Sequence, residues 1–184
     1  MDIFKINRKS HIEIGEIYFW TATINGWRKL LQADEMKMMV IASLQWLKSK
    51  GLIEIYGYVI MPNHIHLIWE VLNKNGKESP HGSLLKFTAH TFKDHLKRNH
   101  STWLDEFAVP ASNKKYEFWK RDSLAVRLFS QKMAFQKLDY IHANPIAPHW
   151  QLAPSPEEYR FSSAAFYETG VDEFNLITHI REVF

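Results

Sequence analysis

The stretch Ile60-Met61-Pro62-Asn63-His64-Ile65-His66-Leu67-Ile68-Trp69 sets two histidines two residues apart inside an apolar run. A strand sends alternate side chains to opposite faces, so His64 and His66 share one face while Ile65, Leu67, Trp69 and Val71 share the other. One face reads as core and the other as chemistry. Just upstream, Leu52 to Ile60 reads as a second strand, and the Met61-Pro62-Asn63 turn is short enough to fold the histidine strand back antiparallel beside it.

Towards the N-terminus, Tyr18 to Ile24 alternates as a first strand, with Tyr18, Trp20, Ala22 and Ile24 on one face and Phe19, Thr21 and Thr23 on the other. Asn25-Gly26 breaks it. Between the strands, Met36, Val40, Leu44 and Leu47 recur at three- and four-residue steps, which predicts an amphipathic helix from Asp34 to Lys50 with Gly51 at its C′ position. Downstream, the polar run Leu72 to Gly82 reads as an exposed loop, with Ser83 as the cap of a helix from Leu84 to Asn99 that buries Leu85, Ala89, Phe92 and Leu96. Tyr116–Lys120 and Leu124–Phe129 read as short strands. Ser130 offers an N-cap to a last helix that ends near Asn144, because Pro145 lacks an N–H and disfavours helical backbone just before it. Ala134, Leu138 and Ile141 are its buried stripe, and Tyr140 and Asn144, one turn apart, share another side. The segment Glu157–Tyr167 reads as a short helix. This order predicts an α+β fold in which an antiparallel sheet of four or five strands carries helices mainly on one face.

The 184 residues suit a single domain over 1–184, and a hydrophobic content of 46% excludes a disordered chain. With no cysteine there is no disulfide framework and no thiolate metal site. No apolar run approaches the roughly 18 residues of a membrane span, and Met1-Asp2-Ile3-Phe4-Lys5 lacks the pattern of a signal peptide, so a cytoplasmic protein without membrane partners is expected. The net charge is only +3, but Leu84 to Lys137 holds eleven Lys/Arg against five Asp/Glu. That concentration points to a polyanionic partner. Lys86, His90, Lys93 and Lys97 fall in one helical stripe that could follow a phosphate backbone or simply be a solvated face. Trp119, Lys120 and Arg121 place an aromatic ring beside two cations, although Trp119 reads better as core.

A His-x-His pair in a strand is more often a hydrogen-bonding pair than a metal site. Here the opposite face is already apolar, and imidazoles about 7 Å apart at Cβ can converge on one divalent ion given a further ligand. Taken alone, Tyr140 is an ordinary half-buried helix residue and Asn144 an ordinary helix end.

The string Gly57-Tyr58-Val59-Ile60-Met61-Pro62-Asn63-His64-Ile65-His66-Leu67-Ile68 is followed by Leu138-Asp139-Tyr140-Ile141-His142-Ala143-Asn144-Pro145-Ile146 and then by Phe161-Ser162-Ser163-Ala164. In that order the three motifs resemble the small single-tyrosine HUH transposases, in particular the subgroup associated with repetitive extragenic palindromes (REP). The resemblance runs from the first strand to about Tyr167. It implies a ferredoxin-like, HUH endonuclease-like catalytic domain, with 150–184 as a C-terminal extension packed on it, acting on single-stranded DNA beside imperfect hairpins. It implies that His64, His66 and Asn144 hold a divalent metal, Mg²⁺ or Mn²⁺, and that Tyr140 is the nucleophile. Lys86, Lys93, Lys97, Arg98, Lys120 and Arg121 become candidates for DNA contact. The chain departs from the family after Ile146, where Ala147-Pro148-His149-Trp150 replaces the more usual basic residue and glycine.

The chemistry implied is strand transfer. A tyrosine hydroxyl, with an ordinary pKa near 10, needs activation at neutral pH, and the scissile phosphate needs its charge neutralised. Tyr140 would form a 5′-phosphotyrosine and release a 3′-hydroxyl. Two other readings stay open: a domesticated relative that binds hairpin DNA or RNA without cutting, and a phosphodiesterase that uses water in place of Tyr140. Both monomers and dimers that exchange the tyrosine helix occur among relatives, so either a monomer or a homodimer fits. His142, about 200° around the helix from Tyr140, could meet DNA, move a proton or simply pack.

Overall fold

A computed structural model describes residues 12–111 and 114–184, so the reading of Met1–Lys5 lies outside the described residues. The elements in chain order are β1 (Ile17–Thr23), α1 (Asp34–Ser49), β2 (Ile53–Met61), β3 (His64–Val71), α2 (Pro80–Arg98), α3 (Trp103–Glu106), β4 (Ala108–Ala111), β5 (Lys114–Tyr116), β6 (Leu124–Arg127), α4 (Gln131–Ala143) and α5 (Ala164–Thr169). Four strands form one antiparallel sheet in the order β2-β3-β1-β6, and β4 and β5 form a separate hairpin. The two long connections, through α1 and α2, each cross one strand to reach a parallel partner, and right-handed crossovers place both helices on the same face. They pack together over Trp20, Ile65, Leu67 and Trp69, all fully buried. This is the ferredoxin-like α+β fold.

The register aligns the polar face. His64 stands opposite Thr23 of β1 and Met61 of β2, and His66 opposite Thr21 and Val59. Directly opposed residues share a face, so Phe19, Thr21, Thr23, His64, His66 and Ile68 lie together on the side away from α1 and α2. The helix α4 covers part of that side. It can approach closely because Gly57 has no side chain: a Cβ there would sit 2.7 Å from Leu138 Cδ1 and 3.1 Å from Ile141 Cδ1. A glycine inside a strand marks such an approach, and the β2–β3 register also shifts between Ile55 and Gly57.

The predicted buried stripe of α4, Ala134, Leu138 and Ile141, is the observed one, and the Ser130 side chain caps it by accepting from Met133 N. The helix α2 begins a turn earlier than Ser83, at Pro80, with the Ser79 hydroxyl accepting from Gly82 N. A serine caps the helix as expected, but it is Ser79 and not Ser83, and Pro80, read as part of the loop, takes the first helical position. Of the residues expected in its core-facing stripe, Phe92 and Leu96 are buried and Leu85 and Ala89 half-buried, Leu84 and Thr88 being the fully buried pair in the preceding turns. Tyr116–Lys120 is not a strand of the main sheet. Its start belongs to the β4–β5 hairpin, while Trp119 bridges to Ile24 and Lys120 N donates to Thr23 O beside the end of β1. The first seven residues of Glu157–Tyr167 are not helical, and helix begins only at Ala164.

The Phe161–Ala164 motif has a structural reason. Ile60 N donates to Phe161 O, Ser163 N donates to Tyr58 O, and Tyr58 N donates to the Ser163 hydroxyl. These bonds occupy the outer edge of β2, which would otherwise present unpaired backbone groups. Further along, Thr178 N donates to Ile55 O, and the Tyr159 and Tyr167 hydroxyls donate to Ile60 O and Tyr56 O.

Candidate active site

Two histidines lie at the floor of a cleft of about 490 Å³ lined by residues of β1, β3 and α4 together with Trp27, Asn63, Ala147, His149 and Trp150. They are buried, with 8% and 6% of their surface exposed, although the apolar side chains of the strand lie on its other face. Phe19 stacks on His66 at a centroid distance of 5.1 Å, and Trp150 leans on His64 at 6.2 Å. The two imidazoles are 4.7 Å apart, edge to face.

Each imidazole is held by its Nδ1. His64 Nδ1 is 2.7 Å from Asn63 Oδ1, and His66 Nδ1 is 2.7 Å from the Thr21 hydroxyl. Asn63 Nδ2 donates to the Trp27 carbonyl at 3.3 Å, which orients the amide so that its oxygen faces His64. That oxygen only accepts, so His64 Nδ1 carries the proton and Nε2 keeps its lone pair. Burial pushes the His64 pKa down to about 4, with His149 adding to the effect, and the His66 pKa down to about 3, with His64 and Lys137 adding. At neutral pH both rings are uncharged, the state a metal ligand requires.

Tyr140 comes to this face from α4. Its ring lies 5.6 Å from that of His66 and 6.1 Å from that of Phe19, and the side chain is half exposed to the cleft. Asn144 keeps right-handed helical backbone before Pro145, at φ −57° and ψ −46°, and opens a short 3₁₀ turn over Asn144–Ile146. Four residues of helix advance about 400°, so Tyr140 and Asn144 project to nearly the same side, and both line the cleft. Lys137, one turn before Tyr140, holds its ammonium 4.8 Å from the centroid of Phe19 and 5.7 Å from that of Tyr140.

The four residues singled out from the motifs thus share one cleft. Among the described residues no group of three His, Cys, Asp or Glu could hold a metal. A divalent ion here would rest on two neutral imidazoles, an amide oxygen and water. The Nε2 lone pair of His64 fits that role, and His66 offers the same atom in the tautomer whose Nδ1–H donates to the Thr21 hydroxyl.

The candidate DNA contacts separate. Lys86, Lys93, Lys97 and Arg98 lie on α2, across the sheet from the histidines, where Lys86 pairs with Glu78 at 3.7 Å and Lys93 with Asp94 at 3.6 Å. Lys120 holds its ammonium 5.9 Å from the centroid of Trp27, which lines the cleft, and Arg121 pairs with Glu117 at 2.9 Å. Trp119 is core, donating from Nε1 to the Thr88 hydroxyl at 2.9 Å. His142 packs: its Nε2 is 2.8 Å from the Ser163 hydroxyl, its ring is 5.4 Å from that of Tyr167, and burial pushes its pKa down to about 4. Thr21, Trp27, Asn63, Lys137, His149 and Trp150 were not assigned to the site from the sequence. For Thr21 a signal existed, since it occupies a polar position in an otherwise apolar strand.

The fold is shared with a solved tyrosine transposase. Specifically, the chain superposes on the structure of a REP-associated tyrosine transposase bound to a REP hairpin with a TM-score of 0.60 at 17% identity, covering 94% of this chain and 91% of that one. A Deinococcus radiodurans R1 protein assigned as a transposase overlaps over 72% of this chain and 94% of its own, at 16% identity and a TM-score of 0.40. No family model and no curated protein matches the sequence. Among the described residues no helix is long and apolar enough to cross a membrane.

Proposed function

We propose that this protein is a divalent-metal-dependent DNA strand transferase that nicks and rejoins single-stranded DNA beside a hairpin through a 5′-phosphotyrosine on Tyr140. The observation that carries the reading is the meeting of Tyr140 with His66, at 5.6 Å between rings, in the cleft that also holds His64 and Asn144. These groups come from a strand and from a helix more than seventy residues later. The shared fold with a transposase bound to a REP hairpin supports a hairpin-bearing substrate.

His64, His66 and Asn144 would hold Mg²⁺ or Mn²⁺, which when bound withdraws charge from the scissile phosphate. Thr21 and Asn63 fix the rings that present the nitrogens. The Tyr140 hydroxyl oxygen attacks phosphorus as the bond to the 3′ oxygen breaks. Its proton leaves to the solvent that reaches the half-exposed ring, and the released 3′ oxygen takes up a proton. Lys137 adds positive charge where the attacked phosphate must lie. The phosphodiester is exchanged, not hydrolysed, so attack by a 3′-hydroxyl on the phosphotyrosine reseals a strand without ATP.

The test is incubation with Mn²⁺ and single-stranded oligonucleotides that carry the palindromes flanking the gene, followed by a denaturing gel. A covalent protein–DNA adduct that disappears in Tyr140→Phe is expected. Cleavage that survives this substitution would identify water as the nucleophile and overturn the phosphotyrosine step. Binding without cleavage would identify a catalytically silent hairpin binder.

A further inference from the structure

Trp27 is an unusual residue for its position. It follows Gly26 in a short turn with both residues in the left-handed region, at φ 57° and 67°, and the residue is 59% exposed. A bulky side chain at positive φ is strained and persists where surrounding contacts hold it. Those contacts are present: Trp27 N donates to Ile24 O at 2.9 Å, and Trp27 O accepts from Asn63 Nδ2. The amide that fixes the backbone of Trp27 is thus the one that orients His64. Its ring lines the cleft that holds the histidines and Tyr140, Lys120 lies 5.9 Å from its centroid, and Trp150, with Lys29 at 5.7 Å, lines the same cleft.

An indole more than half open to solvent at the mouth of this cleft buries little of its apolar surface in the folded chain, so its placement calls for a ligand with an aromatic face. The nearby ammonium calls for a negative charge on the same ligand. An unpaired nucleotide supplies both, through stacking of its base and pairing of its phosphate. We propose that Trp27 is a stacking platform for an unpaired nucleobase of the substrate strand next to the scissile phosphate, with Lys120 meeting the adjoining phosphate. Trp150 bounds the same cleft as a second aromatic wall. This rests on the nucleic-acid reading above but not on the phosphotyrosine chemistry, because stacking needs neither metal nor Tyr140. It also adds a rigid link, since a base pressing on Trp27 bears on the Asn63 amide that holds His64.

The experiment uses the Tyr140→Phe chain in EDTA, so that cleavage cannot intervene, and fluorescence anisotropy with a labelled hairpin that carries a single-stranded flank. The same hairpin with abasic residues in the flank is the comparison. Trp27→Ala should lose on the order of tenfold in affinity for the base-containing flank and little for the abasic one, and Trp27→Phe should keep most of the affinity. The salt dependence should be unchanged in Trp27→Ala but shallower by about one in Lys120→Ala. The exposed ring and the matched Phe variant separate loss of stacking from loss of fold, and thermal melts of each variant check it. Equal losses on intact and abasic flanks, or none, would overturn the proposal while leaving the strand-transfer reading in place. Failure of the unsubstituted protein to bind either hairpin would overturn both.

Discussion

At Asn63 one side chain does two jobs: its amide nitrogen bonds the Trp27 carbonyl, and its oxygen bonds His64 Nδ1 at 2.7 Å. Thr21 does the second of these for His66, also at 2.7 Å. If these groups orient metal ligands, their removal should weaken metal binding without removing a ligand. Asn63→Ala and Thr21→Val are each expected to lower Mn²⁺ affinity about 10- to 100-fold by titration calorimetry. His64→Ala should abolish binding, and unchanged affinity in all three would place the metal elsewhere. The ligand candidates were legible in sequence because a His-x-His pair survives as a pattern. Their supports were not, because Thr21 is forty-five residues from His66 and meets it only through the β1–β3 register.

The element that decides the site is α4, held against β2 through Gly57. With Leu138 Cδ1 2.7 Å from the position of an added Cβ, Gly57→Ala should force the helix outward. Overpacking of this kind costs about 1–3 kcal/mol. A chemical denaturation midpoint would read that loss, and strand-transfer activity should fall by more than the loss of folded protein, because the Tyr140 and Asn144 positions move with the helix. Ser130→Ala, which removes only the N-cap of the same helix, should cost about 1 kcal/mol and leave activity per folded molecule nearly unchanged. Helix periodicity located α4, its cap and its buried stripe. The face of the sheet it covers depends on the closeness Gly57 permits, which no pattern inside the helix encodes.

For the whole molecule, two buried histidines and the half-buried His142 make stability depend on acid. His64 and His142 have folded pKa values of about 4 and His66 of about 3, against about 6.5 in an unfolded chain. Between these limits the unfolded state binds more protons, so stability is complete above pH 6.5 and is lost as pH falls towards 4. The melting temperature should therefore drop steadily over that window, and His142→Gln, which removes one of the three groups, should flatten the drop. Added Mn²⁺ should raise the melting temperature at pH 7.5 and lose its effect by about pH 5, because protonation of the imidazoles competes with metal. A pH-independent melt between 7 and 4 would contradict the burial of these rings.

The sequence by itself determined the local elements and their polarity. Alternation in β1 and β3, three- and four-residue spacing in α1 and α4, and Pro145 at the helix end act within a few residues, so they can be read from the chain. The motifs also selected His64, His66, Tyr140 and Asn144. Only the tertiary structure decided that these groups meet, that the histidines are buried under Phe19 and Trp150, and that the α2 lysines lie across the sheet from them. It likewise decided that Trp27 lines the cleft and that Lys120 lies beside its ring. Strand register, crossover handedness and the approach of α4 over Gly57 set those distances, and each joins residues far apart in the chain.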